Sequence, residues 1–140
     1  MSTSSVSKRV LKVILDSNAL FVALELKIDV FAETKVLLNR NVDFVLLSSV
    51  KHELELLATK GSPKIRREAL YALKAAEKCK YVEVDNPEKL STDDVIVKIA
   101  QAWNSPVFTN DRQLRKRLRD ISVPVIYVRQ KSRLDVDGLI

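Results

Sequence analysis

Five short runs of apolar residues, at 13–15, 44–47, 81–84, 106–109 and 124–128, are each too brief for a helix and the right length for a strand. Between them the apolar positions recur at helical spacing. Residues 19–27 and 30–38 carry Leu20 and Leu24, then Val30, Phe31, Leu37 and Leu38, which predicts a helical hairpin or one bent helix, with Asp29 capping its second part. Ser48 and Ser49 are cap candidates for a helix over 50–59 that closes at Gly61. Ser62 followed by Pro63 opens the next, running to about Lys78 with Ile65, Ala69, Leu70, Leu73 and Ala76 on one face. Ser91, with Asp94 three residues on, has the form of a capping box for a helix whose buried stripe is Ile96, Ile99, Ala100 and Trp103. Residues 111–118 make a last, basic helix. Strands alternating with helices at this spacing predict the α/β class, as a three-layer α/β/α sandwich around a parallel sheet of about five strands.

At 140 residues the chain has the length of one domain. The polar, Ser-rich residues 1–9 read as a flexible N-terminal tail, 10–130 as the folded domain and 131–140 as a C-terminal tail. A 46% hydrophobic and 30% charged composition is that of a globular protein. No apolar run approaches the roughly 18 residues that cross a bilayer, and Asp16 interrupts the first candidate, so a cytoplasmic protein without membrane association is expected. The lone Cys79 cannot make an internal disulfide or a zinc ribbon, and the single His52 adds no metal-ligand pair.

The net charge of +6 changes the picture because it is unevenly placed. From Arg112 to Arg133 eight basic residues face the single acid Asp120, whereas the rest of the chain has sixteen basic and seventeen acidic groups. Arg112, Arg115, Lys116, Arg117 and Arg119 thus offer a polyanion such as RNA a basic helix, unless that helix is merely solvated.

Several acids fall where strands end. Asp16 follows the first strand, Glu53 lies one turn into the helix after the second, Asp93 and Asp94 open the helix after the third, and Asp111 follows the fourth. In a parallel sheet those positions share the carboxyl edge, where ligands bind. Each acid also has a local role available, Asp16 or Asn18 as a helix cap and Glu53 as a solvated helix residue. Together at one rim, carboxylates repel one another and so take up protons or bind cations. Without His or Cys, the oxygen-seeking ions Mg2+ or Mn2+ are the fitting partners, and such ions can activate a water for phosphodiester hydrolysis.

Four segments, VILDSN at 13–18, LSSVKHEL at 47–54, STDDVIV at 91–97 and FTND at 108–111, resemble the PIN-domain ribonucleases in content and order, across roughly residues 10–128. The resemblance implies a metal-dependent endoribonuclease with Asp16, Glu53, Asp94 and Asp111 as catalytic acids and Asp16, Asp94 and Asp111 as metal ligands. Ser17, Asn18 and Thr109 match polar residues that orient the site. Asp94 is taken over its neighbour Asp93 because a small residue and two apolar ones follow the family's acid. The ending around residues 110–128 is more similar to the branch that processes ribosomal RNA in archaea and eukaryotes than to the toxin branch. A toxin of a toxin–antitoxin pair is the alternative within the family, with an antitoxin as partner, and a homodimer is open in either case. Outside nuclease chemistry stand a non-catalytic RNA-binding or assembly module and a phosphoacceptor receiver domain. The second fits poorly, since Ser17 and Asn18 follow Asp16 and Arg129 stands where a Lys is needed. Which RNA is cut, and whether one metal ion or two take part, the sequence leaves open.

Overall fold

In the computed structural model, which describes residues 10–140, the first strand is the centre of the molecule. Strand β1 (Leu11–Leu15) places Val13, Ile14 and Leu15 wholly out of solvent, as a strand covered on both faces requires. The chain then forms α1 (Ser17–Leu26), α2 (Val30–Leu38), β2 (Val42–Leu47), α3 (Ser48–Lys60), α4 (Pro63–Ala75), a 3₁₀ turn (Ala76–Lys78) and β3 (Lys80–Val82). It continues through α5 (Thr92–Trp103), β4 (Val107–Phe108), α6 (Arg112–Asp120), β5 (Val125–Arg129) and β6 (Arg133–Asp137). The sheet order is β3-β2-β1-β4-β5-β6, all parallel except the last pair. From β1 the chain first winds outward through β2 and β3, then returns to lay β4 and β5 on the other side. The crevice between the carboxyl ends of β1 and β4 is therefore the point where the winding reverses.

Local chemistry sets the element ends. Asp29 caps α2 by accepting from the Phe31 and Ala32 amides, both at 3.1 Å, and a left-handed Lys27 separates α1 from α2, so the expected hairpin is two helices. Ser62 and Pro63 open α4 in the expected order. Gly61 ends α3 in extended backbone; a methyl group there would meet the Leu57 carbonyl oxygen at 2.7 Å, so glycine serves a close approach.

Three expectations are corrected. Ser48 and Ser49 do not cap α3: Leu47 holds that position, and the Ser48 hydroxyl accepts from the Val84 amide at 2.9 Å, tying the β2 end to the chain after β3. Leu70 is exposed on α4, while Ala72 is buried in its place. Among the described residues the sheet has six strands, because residues 133–137, expected within a polar tail, pair antiparallel with β5 from Val125↔Asp137 to Arg129↔Arg133. The tail assigned to residues 1–9 lies outside the described residues.

Strand β6 is held by charge as well as by its ladder. The Asp137 carboxylate receives the Arg115 Nε at 3.0 Å and the Arg119 Nε at 3.1 Å, so two guanidinium groups of α6 clasp one acid. Gly138 follows with φ +105° and runs so close to Arg119 that a side chain would strike its guanidinium. Asp137→Ala should lower the unfolding free energy by on the order of 1–2 kcal/mol and speed amide exchange in β6 ahead of the central strands. Urea titration with hydrogen exchange checks this, and wild-type stability with unchanged β6 protection would show the clasp to be incidental.

Candidate active site

The register of β1 and β4 builds the rim. Leu15 stands opposite Phe108, and the ladder continues one residue further through the Asp16 amide, which donates to the Phe108 carbonyl at 3.1 Å. Asp16 and Thr109 consequently leave the sheet side by side. The Thr109 hydroxyl, fully buried, donates to Asp16 Oδ2 at 2.7 Å and accepts from the Asp111 amide at 3.1 Å. One hydroxyl thus links the acids of two strands.

Asp16 occupies the N-cap position of α1 but makes no side-chain capping bond, since its carboxylate is turned to Thr109. Asn18 does not cap either; its Oδ1 accepts from the Asn110 amide at 2.8 Å. Ser17 donates to Glu53 Oε1 at 2.6 Å, which fixes α3 to the start of α1. Asp111 does cap its helix, accepting from the Leu114 amide at 3.0 Å.

Of the two adjacent acids, the structure turns Asp93 toward the rim and Asp94, the expected site residue, away from it. Asp94 is directed outward into an ion pair with Arg117 at 2.7 Å, which together with Ser91 holds its carboxyl below the usual range. Asp93 is pushed upward, first by burial, then by the charges of Asp111 and Glu53, with Arg117 opposing. The helical period explains the difference: Asp93 lies three and seven residues before the buried Ile96 and Ala100, on the inward stripe, whereas Asp94 leads to the exposed face of Lys98 and Gln101.

Asp16 carries the strain of this arrangement. Burial, and then the neighbouring Asp93 and Glu53, push its pKa up to about 6 although the Thr109 hydroxyl works against them. Among the described residues no three His, Cys, Asp or Glu side chains are closed up around a point as a ready-made metal cage. The donors nevertheless suit a hard divalent cation in kind. They are carboxylate oxygens only, and their mutual repulsion is what a cation between them would relieve.

The basic helix divides in two. Arg115 and Arg119, both expected RNA contacts, form the clasp on Asp137, and Arg115 also lies over the Tyr127 ring at 3.7 Å, so both help to pack β6. Lys116 pairs with Asp120 and Arg117 with Asp94 through exposed side chains that solvent screens. Arg112 is exposed and, among the described residues, has no ion-pair partner. Asn110 had no assigned role, yet its side chain accepts from the Val128 amide at 2.7 Å and donates to its carbonyl at 3.3 Å, fastening the loop after β4 to β5. Its place between Thr109 and Asp111 was the only signal available. Cys79 is half-buried, with its thiol pushed up to about 12, and takes no part in the rim. Among the described residues no helix is long and apolar enough to cross a membrane.

The chain as a whole is similar to known proteins. Residues 13–131 match the family described as PIN like domain. Ribonuclease VapC4 of Methanocaldococcus jannaschii is 29% identical over 129 residues, covering 92% of this chain and 98% of that protein. Ribonuclease VapC9 of Archaeoglobus fulgidus is 29% identical over 96 residues, 69% of this chain and 68% of its own. The solved structure of the PIN domain endonuclease Utp24 superposes with a TM-score of 0.77 at 26% identity, covering 92% of both chains.

The raised Asp16 pKa has a consequence for stability. Its folded value near 6 exceeds the ordinary 3.8, so the folded state holds the proton more tightly. Stability is unpenalised below about 4, falls as pH rises toward 6 and stays lower above it, by on the order of 3 kcal/mol at neutral pH. Asp16→Asn keeps an oxygen for the Thr109 hydroxyl and removes the charge. In chelator at neutral pH this variant should be more stable than the wild type by about 1–3 kcal/mol, with a flatter profile between those pH values. Denaturation curves across pH measure it, and a destabilised variant would contradict the repulsion described.

Proposed function

The chain belongs to the PIN like domain family, and on that footing we propose that it is a metal-dependent endoribonuclease, hydrolysing RNA at the rim of Asp16, Glu53, Asp93 and Asp111. The observation that carries this reading is the Thr109 hydroxyl shared between Asp16 and Asp111, which fixes two acids of different strands at the carboxyl edge while Asp93 and Glu53 face Asp16. Two relatives named as ribonucleases and the likeness to a PIN domain endonuclease support the same chemistry.

Asp16, Asp93 and Asp111 would hold Mg2+ or Mn2+, with Glu53 oriented by Ser17. Such an ion supplies positive charge against the scissile phosphate and lowers the proton affinity of a water. The carboxylates themselves exclude a bare phosphate from the rim until a cation offsets their charge, so cleavage and cation binding are coupled. His52 is the only histidine and is exposed on α3, which leaves the 2′-hydroxyl of RNA without a histidine pair to activate it. Hydrolysis by water, ending in a 5′-phosphate and a 3′-hydroxyl, is the route these residues favour. Arg112, Lys116 and Arg117 are the members of the basic helix placed to meet backbone phosphates, the latter two by exchanging exposed carboxylate partners.

Processing of ribosomal RNA is the role supported by the ending at residues 110–128 and by the fit to Utp24. A toxin role draws on the two VapC ribonucleases, one of which aligns over nearly its whole length. Recovery of a small partner that blocks cleavage would favour the second, and cutting confined to ribosomal precursors the first.

With manganese and a structured RNA, Asp93→Asn and Asp111→Asn should each lose cleavage by at least about 100-fold, while Asp94→Asn loses only a few-fold. Asparagine still caps α6, so the Asp111 loss would not be one of helix stability. Cleavage in chelator, or equal cleavage by Asp93→Asn and the wild type, would overturn the assignment; RNA binding without cleavage under every condition would favour the assembly-module reading.

A further inference from the structure

Beside the acidic rim lies a cavity of about 250 Å³ whose character is opposite. Its walls are the first turns of α6, with Arg112 and Arg115, and the end of β5, with Arg129; Asn110 and Tyr127 also line it, and among the described residues no carboxylate does. The cavity and the rim share a stretch of backbone, since Asn110 and Arg112 flank Asp111 directly.

The three arginines are held differently. Arg115 is fixed between the Asp137 carboxylate at 3.0 Å and the Tyr127 ring at 3.7 Å, so its guanidinium is set before any ligand arrives. Arg129 pairs with Asp135 at 3.0 Å through side chains that are largely exposed, a contact readily exchanged for a stronger anion. Arg112 has no ion-pair partner among the described residues. Three guanidinium groups around one concavity suit a tetrahedral anion, because their planar forks can each give two parallel hydrogen bonds to its oxygens. Asn110 cannot drift from this wall, since both ends of its amide are bound to Val128.

We propose that this cavity is a subsite for one backbone phosphate of the RNA strand, adjacent to the bond presented to the carboxylates. The proposal rests on the nuclease reading in naming RNA as the strand. A phosphate seated between Arg112 and Arg129 sets the register of that strand against Asp111, so the subsite selects which linkage reaches the rim. Phosphate contacts of this kind fix register and orientation without reading sequence.

The test is binding of a short single-stranded RNA in chelator, by fluorescence anisotropy at several salt concentrations, with wild type, Arg112→Ala and Arg129→Ala. Both positions are exposed, and each variant should weaken binding about tenfold and reduce the salt slope by about one. In a series of RNAs carrying a single neutral methylphosphonate, one linkage should weaken wild-type binding but leave Arg112→Ala indifferent. Wild-type affinity and salt slope in both variants would overturn the subsite. Cleavage by a protein whose arginine variants bind normally removes the subsite alone; arginine-dependent binding without cleavage in manganese removes the nuclease reading alone; no RNA binding by the wild type removes both.

Discussion

The buried Thr109 hydroxyl is the contact through which sheet geometry becomes site geometry. Because Leu15 and Phe108 are paired, Asp16 and Thr109 emerge from neighbouring strands at the same height, and the hydroxyl can donate to one acid while accepting from the amide of another. A one-residue slip between β1 and β4 would turn Asp16 and Thr109 to opposite faces and dissolve the rim. The wholly buried Val13, Ile14 and Leu15 oppose such a slip, since a shift along the strand would carry the exposed Lys12 toward the places they fill.

Stability and chemistry pull against each other at this edge. An Asp at the start of a helix ordinarily stabilises by capping it, yet Asp16 gives up that bond and is buried facing Asp93 and Glu53. The cost falls at the end of a strand whose last three residues are wholly buried, and a bound cation would return it. Asp111 shows the complementary solution: its carboxylate caps α6 while its amide is spent on Thr109.

Much of this was legible in the residues. Continuous apolar runs identify the central strands, and the alternation with helices gives a parallel sheet whose carboxyl edge gathers the acids. Strand β6 escaped because RLDVD at 133–137 is short and half charged; it becomes a strand only against the free edge of β5, with Asp137 caught by Arg115 and Arg119. That clasp also engages two cations of the basic helix that a count of charge treats as free. A sum of charges does not show which cations already have partners. The different orientations of Asp93 and Asp94 did have a signal, the spacing of Asp93 from Ile96 and Ala100, which the local motif does not carry.

On the proposed reading, a divalent cation would relieve the repulsion around Asp16. Carboxyl-carbon NMR of Asp16 across pH, in chelator and again with magnesium, reads this at the atom concerned. Titration near 6 is expected without the ion, and a fall to or below the ordinary 3.8 with it. A midpoint already near the ordinary value in chelator, or one that magnesium leaves unmoved, would contradict it.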